Sequence, residues 1–121
     1  MADLINSYRD LIAWQKAYDL GKSVYEAAGT LPDFERFGLM SSLRRLSYDI
    51  ASRVAQGYGR GNTQDYIYFL KQARSELYQL DTQLLFALDF KHLPEATYKP
   101  LKAQLDECER VLAGLIRSLG G

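Results

Sequence analysis

Five arginines, Arg36, Arg44, Arg45, Arg53 and Arg60, fall between positions 36 and 60, where the only acid is Asp49. That stretch carries +4, in a chain whose 15 basic residues balance 15 acidic ones. A local basic face is the feature here that suits a polyanion, because arginines make sequence-independent phosphate contacts. On a helix, Arg53 and Arg60 differ by about 20° and Arg45 lies about 80° from Arg53, so the three share a broad face. With Arg44 and Arg74 they form the candidate set for RNA or DNA. A structural reading competes. Asp49 stands four residues from both Arg45 and Arg53, an i,i+4 ladder that Arg74 and Glu76 on a facing helix could extend. Zero net charge also weighs against a strong polyanion binder.

The other reactive side chains point to little chemistry. His92 is the only histidine and stands near a turn before Pro94, which predicts a surface or helix-capping role. Carboxylate-bridged metal sites in helical bundles need Glu-x-x-His pairs on two helices, and no such pair occurs. No metal and no cofactor are therefore expected. Cys108, the only cysteine, falls on an apolar seam, where a buried and inert thiol is expected. Gly57-Tyr58-Gly59-Arg60-Gly61 resembles a phosphate loop, but such a loop follows a strand and this one follows a helical segment. It reads as a helix stop. No constellation implies an enzyme or a small-molecule substrate. Of nine tyrosines, Tyr18, Tyr25, Tyr66 and Tyr98 fall on apolar seams and are expected in the core. Tyr48, Tyr68 and Tyr78 fall off them and are interface candidates, tyrosine being enriched at protein contacts.

Four segments must position these groups. With 121 residues and 47% apolar content, the chain fits one domain, 1–121, with a filled core. Helical periodicity marks segments at about 10–28, 33–58, 63–90 and 95–119. The first repeats Leu11, Trp14, Tyr18, Gly21, Tyr25 and Ala28, with Asp10 as its expected N-cap. The second carries Leu39, Leu43, Leu46, Ile50, Val54 and Gly57, with Met40, Ser47, Ala51 and Ala55 beside them. So wide a face suits a helix with two neighbours. The third repeats Leu70, Ala73, Leu77, Leu80, Leu84 and Ala87 behind an Asn62 N-cap. The fourth repeats Leu101, Leu105, Cys108, Leu112 and Leu115. Pro100 either sits inside this helix or begins it. Connections of about four residues make successive helices antiparallel neighbours. The expected fold is all-α, an antiparallel up-down-up-down four-helix bundle.

No apolar run reaches the ~20 residues a membrane helix needs. The N-terminus lacks a signal pattern, and a single cysteine agrees with a reducing compartment, so a cytoplasmic location is expected.

Several motifs then carry a resemblance. Tyr8-Arg9-Asp10-Leu11 with Trp14-Gln15-Lys16-Ala17, Phe37-Gly38-Leu39, Leu43-Arg44-Arg45, Gly57-Tyr58-Gly59-Arg60, Phe69-Leu70, Ala73-Arg74 and Leu80-Asp81-Thr82-Gln83-Leu84 occur in order. Together they resemble bacterial four-helix-bundle proteins encoded within intervening sequences of large-subunit ribosomal RNA genes. That family is similar in fold to the accessory protein of diversity-generating retroelements. The resemblance covers nearly the whole chain. It implies a ring-shaped homopentamer and association with RNA or DNA. The chain departs from the family pattern at Asp49, Arg53, Gln56, Ser75, Glu76, Gln79 and Asp81. From these changes we expect Asp49, Arg53, Glu76 and Gln79 to form a polar network between helices two and three. The functional expectation is a non-enzymatic oligomer that contacts nucleic acid through its arginine face. The alternative is a self-assembling interaction module with no nucleic-acid role.

Overall fold

The four periodic segments become four α-helices in the computed structural model, which describes residues 5–121. Helix α1 spans Ile12–Ala28, α2 Leu39–Gly59, α3 Thr63–Asp89 and α4 Glu95–Ser118. Single 3-10 turns, Tyr8–Asp10 and Asp33–Glu35, precede α1 and α2. Each helix packs on its sequence neighbours, and α4 closes back on α1.

The pairings run in opposite directions. Gly21 meets Ser47, and further along α1 Gly29 meets Arg44. On the next pair of helices, Arg53 meets Glu76 while Gly57 meets Phe69 and Tyr66. Between α3 and α4, Tyr78 reaches Glu109 and Asp81 reaches Lys102. The bundle is antiparallel throughout.

One apolar core runs along the axis. Leu43, Leu46, Leu70, Leu77, Leu80 and Leu112 are wholly buried, each contributing about 1.5–3 kcal/mol by removal from water. The stripes of α2 and α3 match their periodicity. Helix α4 matches through Leu112, after which Ile116 is buried and Leu115 only partly so.

Helix α1 differs. Its buried face is Ala13, Ala17, Leu20, Gly21, Val24, Ala27 and Ala28. Tyr18 and Tyr25, expected in the core, are 46% and 47% exposed. Tyr66 and Tyr98 are partly buried against the core. The cause is the approach of α1 to α2. A Cβ on Gly21 would overlap the Ser47 carbonyl oxygen. With the backbones that close, only small side chains fit between the helices, and the aromatics are displaced to the flank.

The boundaries also have local causes. Asp10 is not the cap of α1. It lies in the 3-10 turn, where its carboxylate accepts the N–H groups of Asn6 and Ser7. Residues 33–38 are not α-helical, because Pro32 is extended and Gly38 takes a non-helical conformation (φ −113°, ψ −112°). The Glu35 carboxylate instead accepts the Leu39 N–H and caps α2. Asn62 caps α3 as expected, accepting the Asp65 N–H. Helix α2 continues through Gly59, and the left-handed turn falls at Gly61 (φ 80°). Pro100 sits inside α4, and both it and Ala96 are exposed. Water can therefore reach the carbonyl of Ala96 that a proline nitrogen cannot bond.

Gly21→Ala tests the close approach. It should lower the urea-unfolding free energy by about 1–3 kcal/mol, the usual cost of overpacking. An unchanged midpoint would show that the helices can part at no cost.

Candidate functional site

The arginines expected to share a basic face are mostly neutralised by acids. Arg53 Nε donates to Glu76 Oε1 at 2.7 Å across the α2–α3 seam. That hydrogen bond, opposed by partial burial, raises the Arg53 pKa, and nearby Asp49 adds to the rise. Arg45 pairs with Asp49 at 3.4 Å and Arg60 with Asp65 at 3.2 Å. The polar network between the two helices thus centres on Arg53 and Glu76, with Asp49 turned toward Arg45. Gln79 is exposed and makes no hydrogen bond to it among the described residues. Arg74 is half-buried on α3.

Arg44 is held differently. Its guanidinium carbon lies 4.7 Å from the centroid of the Tyr25 ring. A Cβ on Gly29 would lie 2.7 Å from Arg44 Nη2, so the guanidinium occupies space that glycine leaves open. Nη1 has only Met40 Sδ, at 3.8 Å, and the buried Nε has no partner. Together with Asp33, Arg36, Phe37, Ser41 and Tyr48, these groups line a cleft of about 590 Å³.

A second depression of about 380 Å³ lies beside it, between α1 and α2. Its floor is Gly21, Ser47, Ala51 and Ala55, and its walls are Tyr8, Trp14, Tyr18, Tyr25 and Tyr48. Trp14 stacks on Tyr18 with ring centroids 4.8 Å apart. Of its walls, Tyr18 and Tyr25 are the residues that helical periodicity places in the core. The three off-seam tyrosines do not converge. Tyr48 is 58% exposed and faces the groove. Tyr78 donates to Glu109 of α4, and Tyr68 accepts from Gln72 on its own helix.

The remaining reactive groups are paired or buried. The His92 side chain is only 12% exposed, with Nε2 3.1 Å from Glu35 Oε2. That contact, with the Phe34 and Phe90 rings packed against the imidazole, corrects the surface expectation. It joins the α1–α2 connection to the α3–α4 turn. Burial pushes the Cys108 thiol up to about 12, with a smaller contribution from the Glu107 carboxylate. Among the described residues no group of three His, Cys, Asp or Glu is placed to hold a metal ion, and no helix is long and apolar enough to cross a membrane.

Residues 9–114 match the family model described as 23S rRNA-intervening sequence protein. No curated protein matches the chain.

Acid should weaken the bundle through its surface pairs. Hydrogen bonds from Asn62 and Arg60 hold the Asp65 pKa below its ordinary value, and Lys16 does the same for Glu107. A carboxylate depressed in the folded state stabilises above its unfolded pKa, and that stability is lost as the pH falls through the folded value. The urea midpoint should therefore be lower at about pH 3 than at neutrality, and Glu107→Gln should narrow the gap. Equal midpoints at the two pH values would contradict this.

Proposed function

Because the chain belongs to the 23S rRNA-intervening sequence protein family, we propose that it acts as a non-catalytic helical bundle that assembles with copies of itself. The observation that carries this reading is the groove between α1 and α2. Aromatic walls over a floor of small residues expose apolar surface in a concave shape that a neighbouring copy can fill. Tyrosine and tryptophan are the residue types enriched in such contacts. A ring of five copies is the state that the family resemblance implies. The reactive groups support a role without catalysis, since His92 is engaged by Glu35 and the Cys108 thiol is buried. A lone cysteine suits the reducing cytoplasm, where we place the protein.

Association with RNA is the second reading, and one observation favours it. Arg45, Arg53 and Arg60 have carboxylate partners, whereas among the described residues Arg36, Arg44 and Arg74 have none within ion-pair distance. Arg36 and Arg44 line one cleft, and Arg74 stands apart from it on α3.

Native mass spectrometry and sedimentation should give a mass several times the 13.8 kDa of one chain. Ala55→Arg, which places a long cation on the groove floor, should yield monomers with unchanged helical circular dichroism. A wild-type monomer, or an Ala55→Arg variant that assembles like wild type, would refute the reading.

A further inference from the structure

We propose that the cleft between the C-terminal end of α1 and the first turns of α2 binds the phosphate of a ribonucleotide. The inference deepens the RNA-associating reading by locating its contact, and it does not depend on self-assembly.

Arg44 is the anchor. Its guanidinium is held against the Tyr25 ring and in the space over Gly29. A cation fixed in this way loses little freedom on binding, which favours affinity. Among the described residues its donors nevertheless meet no oxygen acceptor. The methionine sulfur at 3.8 Å is a weak acceptor, and the buried Nε has no acceptor at all. A buried guanidinium donor without an acceptor is uncommon, because an unmade bond to a charged group is costly. The buried Nε stays out of reach of the cleft, but Arg44 lines it, so an oxyanion there would be met by the terminal N–H groups of the guanidinium. Arg36 and Ser41 line the same space, so two cations and a hydroxyl border one cleft. Arginine forks suit the several oxygens of a phosphate.

Two more lining residues narrow the class of ligand. Asp33 would repel a bare polyphosphate, but a carboxylate accepts hydrogen bonds from sugar hydroxyls. Its presence beside two arginines fits a ligand with hydroxyl donors next to its phosphate, as ribose has. Phe37 is 93% exposed and offers a flat face at the edge of the cleft. Bases stack on such rings with little regard to sequence. Phosphate on Arg36 and Arg44, ribose on Asp33 and base on Phe37 together describe a ribonucleotide, free or within a single strand.

The test measures binding of the full-length protein at low salt to three probes: inorganic phosphate, a ribonucleoside 5′-monophosphate and a short fluorescent single-stranded RNA. A DNA strand of the same sequence serves as a comparison. The RNA strand should bind more tightly than its DNA counterpart. Arg36→Ala, an exposed position off the core, should weaken RNA binding at least tenfold. Arg44→Lys, which keeps the charge and loses the fork, should weaken it as much, with helical circular dichroism unchanged. Arg45→Ala, outside the cleft, should leave affinity within twofold. Monophosphate binding as tight as RNA binding would identify a free nucleotide as the ligand. Tighter RNA binding would identify a strand. Both support the site if Arg36→Ala weakens them. RNA binding indifferent to Arg36→Ala and Arg44→Lys would overturn the cleft and leave RNA association at another surface standing. Absence of binding to every probe would overturn both.

Discussion

The backbones of α1 and α2 meet at Gly21 and Ser47, and much of the molecule follows from that contact. A Cβ at position 21 would overlap the Ser47 carbonyl oxygen, so the seam between these helices is built from glycine, alanine and serine. Small seams bring helix axes together and leave no room for the large side chains on either side. Tyr18 and Tyr25 are displaced to the flank, where with the partly buried Trp14 they wall a groove whose floor is the seam itself. The interaction that closes one side of the bundle thus also creates a concave apolar surface. Across the core, α3 and α4 use leucines, and there the fit follows ordinary apolar packing.

Electrostatics follow a comparable division. Surface pairs such as Arg45–Asp49 and Arg60–Asp65 are exposed, and pairs of that kind contribute little to stability. What they do is cancel the field of the arginine-rich helix, in keeping with a chain of zero net charge. Arg53–Glu76 is shorter and less exposed, and it ties α2 to α3. Arg44 stands outside this scheme. It is held by an aromatic ring and a glycine instead of a carboxylate, so its charge stays available to the cleft.

Much of the fold was legible because leucine, isoleucine and valine mark the seams of α2, α3 and most of α4 without ambiguity. The first helix misled for a physical reason. Tyr18 and Tyr25 repeat at helical spacing and are large and largely apolar, so periodicity assigns them to the core. Ala13 and Ala17 lie off that stripe and carry too little side chain to outweigh it, yet the close approach buries them, while Gly21 and Ala28 of the stripe are buried as expected. The Arg53–Glu76 pair could be anticipated, since facing helices place those positions at matching heights. The contact of His92 with Glu35 could not, because the two lie 57 residues apart and meet only when the α1–α2 connection packs on the α3–α4 turn. The unpaired state of Arg44 was equally hidden. Sequence spacing shows which acids are near along a helix, and it does not show which arginines a ring and a glycine have claimed.

The central claim is that the aromatic groove of α1 and α2 is covered when copies of the chain assemble. Trp14 is the only tryptophan and its partly buried ring forms part of the groove wall, so its fluorescence reports on that surface in the folded chain. In a dilution series that takes the protein from assembly to monomer, its emission should shift to longer wavelength and become more accessible to a soluble quencher. Emission and quenching that stay constant while the mass falls to that of one chain would place the contact elsewhere and contradict the account.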